Sequence, residues 1–264
     1  MHRVILNLGP ISITSWGLSL ALAFFIGIWL VDKRAQKYNI SRPVIADLCF
    51  LIIIASVVGA RGAYIIENFK YYAKDPIEIF KIWEGGMILY GGVLVAILCG
   101  VIFLKRKHVN VLNIMDIFAP IVAMGIGIGR LGCFFNGCCF GRPTNLPWGV
   151  VFPSDSPAGC AFESGTHIHP AQIYESLIGF CIFGFLLLLE KIVPSITKKS
   201  KGYLFWILLI LYSIWRFFID YIRYYESNAY VFAGFTHGQV VSIGMFLVSI
   251  IIIILVSSKK TSTR

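Results

Sequence analysis

Residues 113–142 read "NIMDIFAPIVAMGIGIGRLGCFFNGCCFGR". From Ile114 to Cys133 the run is dominated by apolar residues and long enough to cross a bilayer, for which a helix needs about 20 residues. Yet Arg130 stands near its end. A guanidinium in hydrocarbon costs roughly 2.5–3.5 kcal/mol even on lenient insertion scales. A chain that keeps one there has something for it to meet.

The same character extends through the chain. Of its 264 residues 58% are hydrophobic and 14% charged, with a mean hydropathy of +0.80, whereas a soluble domain carries about a quarter charged residues. The composition predicts an all-α, polytopic membrane protein with seven transmembrane helices, near 13–31, 45–66, 87–104, 113–133, 170–189, 203–222 and 238–256. It is read as a single membrane-embedded domain, 1–264, with outer loops near 67–86, 141–169 and 223–237. The first 31 residues lack a signal peptide's basic start, short apolar middle and cleavage site, so they are read as a retained span. "KDPIEIFKIWEGG" (74–86) alternates charges with Ile79, Phe80, Ile82 and Trp83 and is read as an amphipathic arm lying in the interface. The inverted repeat common in transporters is not evident.

A formal charge of +10 suggests nucleic acid, but the basic residues fall between apolar runs, where they set topology; no nucleic-acid partner is expected. One set of span ends holds Lys33, Arg34, Lys37, Arg42, Lys105, Arg106, Lys107, Lys191, Lys198, Lys199, Lys201, Lys259, Lys260 and Arg264. The other holds Arg3, Lys70, Lys74, Lys81, Arg142 and Arg223. The positive-inside rule makes the first set cytoplasmic, the N-terminus outside and the C-terminus inside. Three arginines remain within spans: Arg61, Arg130 and Arg216. Each falls late in a helix running outward, so all three are expected in the outer half of the membrane. Snorkelling to headgroups explains one such residue. Three at one depth read better as a fixed cationic site for an anionic lipid head, since guanidinium forks grip phosphate with two bonds.

In "WRFFIDYIRYY" (215–225), Arg216, Asp220 and Arg223 follow i, i+4, i+7, which predicts one helix face. "HIHPAQIYES" (167–176) opens the fifth span, with Pro170 suited to a first helical turn and His169, Gln172 and Glu175 beside it. In "WEGGMILYGGVLVA" (83–96) paired glycines predict close backbone approach, with Tyr90 between them. "GIGRLG" (127–132) fits G-x-G-x-x-G, but no strand precedes it, so it is not a dinucleotide site; Gly125 and Gly129 are read as a small-residue helix contact. Seven cysteines exclude a complete disulfide framework. Cys133, Cys138 and Cys139, with His167 or His169, carry zinc-binding atoms, but their spacing matches no standard finger. No metal or other cofactor is expected, and a disulfide from Cys160 is the favoured alternative.

Seven pieces in order, "SWGL" (15–18), "GARGAY" (59–64), "WEGGMILYGG" (83–92), "GRLGCFFNGCCFGRPT" (129–144), "HPAQIYES" (169–176), "WRFFIDYIR" (215–223) and "THGQVVSIGM" (236–245), resemble bacterial prolipoprotein diacylglyceryl transferases along nearly the whole chain. The resemblance implies an enzyme of the bacterial cytoplasmic (inner) membrane with its active site toward the outer leaflet. Its partners would be phosphatidylglycerol, prolipoprotein lipobox peptides and the lipid bilayer, and it would need no cofactor. The diacylglyceryl group would pass to the lipobox cysteine thiol, making a thioether and releasing glycerol 1-phosphate. Carried over by motif, Arg130 binds the lipid phosphate and Arg216 is the second essential cation. Asp220 and Arg223 support Arg216, and Gly141 closes the motif; Arg61 and His169, placed in the same outer layer by their positions in the spans, join the substrate-binding residues. The chain departs from the common pattern at Cys133 and Cys138, where many members have Asn and Glu, at Tyr90 in place of His, and at Trp16 in place of Tyr. The general base is then Tyr90, preferred by position, or His169. The rival reading is a transporter for an anionic lipid or solute using the same arginines.

Overall fold

The computed structural model describes residues 4–8, 11–81, 85–194, 202–226, 229–232 and 234–258. Arg3, Ile82, Trp83, Lys198, Lys199, Lys201, Lys259, Lys260 and Arg264, invoked above, lie outside them. The chain is mostly helical. A β-hairpin, β1 (Val4–Leu8) against β2 (Ile11–Thr14), precedes α1 (Ser15–Lys37). Then come α2 (Arg42–Glu67), α3 (Phe69–Tyr72), a 3-10 turn (Pro76–Phe80), α4 (Leu89–Arg106), α5 (Val111–Asn136), α6 (Pro157–Ala161) and α7 (Ala171–Ile192). α8 (Tyr203–Ile219), a second small sheet of β3 (Tyr230–Phe232) and β4 (Phe235–Thr236), and α9 (His237–Ser258) complete it.

Among the described residues, six helices are long and apolar enough to cross a membrane: α1, α2, α4, α5, α7 and α9. Their large apolar side chains point outward in numbers no water-facing surface carries, Phe25, Leu94, Leu177 and Ile254 among them. The remaining expected span, 203–222, is the 17-residue α8, which stops at Ile219 with Asp220 as its C-cap.

The chain forms two compact units, Val31–Ile114 and the combination of Met1–Leu30 with Met115–Arg264. In the first, α2 and α4 pack closely. A Cβ on Gly59 would sit 2.6 Å from the Gly91 carbonyl oxygen, and one on Gly92 2.7 Å from that of Ser56. The glycines at 91–92 therefore do what their spacing predicts. The exposed Ile77 and Phe80 project from the 3-10 turn, where Asp75 caps by accepting from the Ile77 N–H at 3.1 Å.

In the second unit α5, α7 and α8 share a core of Ala119, Ala123, Ile182, Leu186, Leu204 and Leu208. α5 and α7 touch at Gly127 and Gly179: a Cβ on Gly179 would lie 2.8 Å from the Gly127 nitrogen. α1 meets α5 at Gly132, against Ser19 and Trp16. The expected contact glycines, Gly125 and Gly129, have open space instead. The reason is angular: two residues turn a helix by roughly 200°, so the contact face carries Gly127 and its neighbours at 125 and 129 point away. The 141–169 connection carries a small packed structure of its own. Pro143 and Val150 bridge to Ile168, over a cluster of Phe152, Ala158 and Ile168 packed by Phe134, Phe140, Val150 and Phe162.

Candidate active site

α5 and α7 cross at Gly127 and Gly179, and the Ser176 hydroxyl donates to the Gly127 carbonyl at 2.8 Å. One turn further along each helix from that crossing stand Arg130 and Glu175. The side-chain period of 3.6 residues puts them face to face, and Arg130 Nε is ion-paired with Glu175 Oε2. The other carboxylate oxygen, Oε1, accepts from Arg223 Nη1 at 3.3 Å. One buried carboxylate, 2% exposed, thus holds two guanidinium groups. Among the described residues, Arg130 Nη1 and Nη2 make no hydrogen bond, while the side chain keeps 17% of its surface open. Those two amino groups form a fork free for a ligand.

A second cluster forms where α8 ends. Arg216 Nη1 is ion-paired with Asp220 Oδ1, and its Nη2 donates to the Tyr225 hydroxyl at 2.9 Å. Tyr225 in turn donates to Asp220 Oδ1 at 2.8 Å, and the Thr236 hydroxyl donates to Oδ2. Burial pushes the Tyr225 phenol up from its ordinary value, against the downward pull of Arg223 and Arg216, so it stays a neutral donor. Thr236 is fixed by Gln239, whose Oε1 accepts from the Thr236 N–H at 3.0 Å. Gly238 makes room: a Cβ there would lie 2.6 Å from Asp220 Oδ2 and 2.7 Å from Arg216 Nη2.

Asp220 serves Arg216 as its spacing predicts, but Arg223 does not share that face. The helix ends at Ile219, and the chain swings Arg223 over to Glu175 and beneath the Tyr225 ring, 5.2 Å from its centroid. Gly141 is the clasp that holds this turn. Its backbone pairs with Arg223, its N–H donates to the His169 carbonyl at 3.1 Å, and the Arg142 N–H donates to the Ile222 carbonyl at 2.8 Å. A Cβ at 141 would sit 2.7 Å from the His169 carbonyl oxygen, so only glycine fits. The His169 ring nitrogen Nδ1 lies 3.4 Å from the Tyr174 hydroxyl.

Two expected site residues belong to the other unit. Arg61 is buried there, and backbone carbonyls ring its guanidinium: Nε donates to Ile79 at 3.0 Å, Nη1 to Gly85 at 2.7 Å and Nη2 to Glu78 at 2.7 Å. Tyr90 opens α4 with 71% of its surface exposed. Cys160 is not disulfide-bonded; its thiol rests 3.3 Å from the Ser154 carbonyl.

Sequence reasoning noted Glu175 without giving it a role, and missed Tyr225, Thr236, Gly238 and Gln239. The run "THGQ" at the mouth of an apolar helix was the available signal for the last three, being the polar exception in that stretch.

Residues 3–255 match the family model described as prolipoprotein diacylglyceryl transferase. Proteins named phosphatidylglycerol–prolipoprotein diacylglyceryl transferase are similar over nearly their whole length. That of Geobacter sulfurreducens is 33% identical over 97% of this chain and 96% of its own. That of Finegoldia magna is 33% identical over 96% and 94%, and that of Fusobacterium nucleatum 34% identical over 95% and 96%.

Proposed function

The chain belongs to the prolipoprotein diacylglyceryl transferase family, and we propose that it carries the diacylglyceryl group of phosphatidylglycerol to the lipobox cysteine thiol of a precursor protein. A thioether forms and glycerol 1-phosphate leaves. The observation that carries this reading is the charge of the paired clusters. Three guanidinium groups, Arg130, Arg216 and Arg223, face two carboxylates, Glu175 and Asp220, leaving one formal positive charge. A phosphodiester head carries one negative charge, which matches what these five side chains leave over.

The Arg130 fork binds the phosphate, and Arg216, held by Asp220 and Tyr225, takes the charge that grows on the leaving phosphate oxygen. Fixed cations in a water-poor site give the largest catalytic contribution in most enzymes, because they need no reorganisation as charge develops. Arg223 and Asp220 keep the two forks in register, and Gly141 and His169 form the backbone clasp around them. Arg61 adds a cation to the same leaflet through the loop it organises. The incoming thiol, with an ordinary pKa near 8.5, gives its proton to Tyr90 or, failing that, to His169.

In the membrane the chain is one transferase domain crossing seven times. α8, three residues short of the expected 203–222, supplies the sixth crossing, and the turn after Ile219 lets Arg223 reach the site. The basic ends face the cytoplasm, the N-terminus and the clusters face outward, and the membrane is the bacterial inner membrane. Purified protein in vesicles with labelled phosphatidylglycerol and a lipobox peptide tests the reading. The peptide gains one diacylglyceryl mass with wild type. Arg130→Ala and Arg216→Ala abolish the gain, and Tyr90→Phe slows it. Full transfer by Arg130→Ala, or lipid translocation with no mass gain, overturns the proposal.

A further inference from the structure

The sulfur atoms of Cys133, Cys138 and Cys139 lie within 4.8 Å of one another, and the backbone explains why. α5 ends in a Schellman motif. Gly137 takes the left-handed conformation, φ 71°. The Cys138 N–H donates back to the Cys133 carbonyl at 3.1 Å, and the Gly137 N–H to that of Phe134 at 3.1 Å. This motif brings together the side chains at the two ends of its longer bond, and here both are cysteines. Cys139 is itself left-handed, φ 58°, which residues other than glycine rarely adopt, and its thiol joins the pair. The turn is held from outside. Gln172 Nε2, on a fully buried side chain, donates to the Cys138 carbonyl at 2.7 Å, and the Ala158 N–H donates to the Gly137 carbonyl at 3.0 Å. None of the three sulfurs is in a disulfide.

Three thiols on one rigid turn, a buried one and two partly open, are the donor set of a soft metal ion with one position left over. Zinc bound by three protein ligands with a free fourth position is the catalytic form of that ion. With Zn–S bonds of about 2.3 Å, sulfurs on a tetrahedral ion stand about 3.8 Å apart, so these thiols need close by about 1 Å at most. The histidines are engaged elsewhere: His167 Nδ1 lies 3.2 Å from the Gly149 carbonyl, and His169 faces Tyr174. Arg130 stands one turn before Cys133 on α5 and supplies positive charge beside three thiolates.

We propose that Cys133, Cys138 and Cys139 hold a zinc ion whose fourth position takes the thiol of the precursor cysteine. The idea rests on the transferase reading above and names what activates its nucleophile. A thiol bound to zinc is deprotonated outright, so the group that receives its proton, Tyr90 or His169, need not be a strong base. The sulfur electron pair forms the C–S bond to the glyceryl carbon. The C–O bond to phosphate breaks with its pair on oxygen, and glycerol 1-phosphate, held by the arginines, accepts a proton from water. No oxidant or reductant takes part.

The test uses the full chain in detergent, reduced, stripped of metal and titrated with cobalt(II) as a spectroscopic probe. One cobalt per chain is expected, with the intense visible bands of a tetrahedral site and sulfur-to-cobalt charge transfer. A cysteine-containing lipobox peptide strengthens the charge-transfer band and its serine analogue does not. Cys133→Ser, Cys138→Ser and Cys139→Ser each weaken cobalt binding by more than the 10–100-fold typical of outer-shell losses, while Cys160→Ser leaves it unchanged. The reduced wild-type chain serves as its own folding control. If it binds neither cobalt nor zinc, or if the cysteine peptide leaves the spectrum unmoved, the proposal is overturned. Transfer at full rate by metal-free protein removes the zinc and keeps the transferase. A peptide-responsive cobalt site without any transfer keeps the metal site and removes the transferase.

Discussion

Glu175 is one carboxylate shared by two guanidinium groups, Arg130 and Arg223, and it is almost fully buried. Removing one partner of a buried ion pair costs about 3–5 kcal/mol, because the survivors are left charged and dry. Glu175→Ala is therefore expected to lower the melting temperature in detergent sharply and to reduce the yield of folded protein. Glu175→Gln keeps the shape and loses the charge, so it should fold better than the alanine variant yet transfer at least about 100-fold more slowly, a loss of roughly 2.7 kcal/mol in the barrier. Equal transfer by wild type and Glu175→Gln would mean that the carboxylate charge is irrelevant. Gly238 poses the opposite problem, one of space. Alanine improves helix propensity by about 1 kcal/mol, but its methyl would lie 2.6 Å from Asp220 Oδ2. Sterics wins: Gly238→Ala should keep the fold, force Arg216 and Asp220 apart and lower kcat at least tenfold, as initial rates of peptide lipidation would reveal. The arginines themselves were legible because a charge inside an apolar run has few innocent explanations. Their counter-ions were less so, since Arg130 and Glu175 come from separate helices and no spacing rule joins residues that far apart.

Helices were read well where length and hydropathy decide, and less well where a polar residue ends them. α8 stops at Ile219 because Asp220 turns its carboxylate to Arg216, Tyr225 and Thr236, a tertiary demand that periodicity does not contain. The β1–β2 hairpin was passed over although "VILNLGPISIT" (4–14) alternates and carries a Gly-Pro turn signal. The glycines of α5 show the limit of small-residue patterns, which name a helix but not its face. Gly129→Ala, with nothing within 4 Å, should be neutral or stabilising by up to about 1 kcal/mol. Gly179→Ala drives a methyl toward the Gly127 nitrogen and should destabilise by about 1–3 kcal/mol. Melting of the two purified variants side by side separates them, and equal behaviour would refute the helix crossing at Gly127 and Gly179. Asp116 belongs to the same scale. Its place near the start of an outward-running helix puts it in the inner half of the membrane, where a transporter would need polar groups. In the structure it is fully buried and caps α8 across the core, accepting from the Leu204 N–H at 2.8 Å and the Phe205 N–H at 3.3 Å. Its presence is accounted for by the helix end it satisfies.

At the scale of the whole molecule, orientation decides whether the arginine clusters meet an extracytoplasmic precursor at all. The excess of lysine and arginine at one set of helix ends argues for an outward N-terminus, and the 141–169 connection then lies outside with the clasp at Gly141. Cys160 offers a direct reading of that topology. It is exposed, on the short α6 within this connection, and it is not disulfide-bonded. Cys49, Cys99 and Cys181 sit within apolar helices, where hydrocarbon excludes a charged reagent. A membrane-impermeant maleimide added to right-side-out spheroplasts should label Cys160 in the wild-type chain, as peptide mapping by mass spectrometry would show, and Cys160→Ser should lose the label on that peptide. Inside-out vesicles should reverse the pattern, with Cys160 protected until detergent is added. Labelling of Cys160 from the cytoplasmic face alone would turn the molecule over, placing Gly141, Arg223 and the paired clusters on the wrong side of the membrane for a secreted substrate. Because thiol accessibility depends on neither lipid binding nor turnover, the orientation stands or falls apart from the chemistry assigned to it.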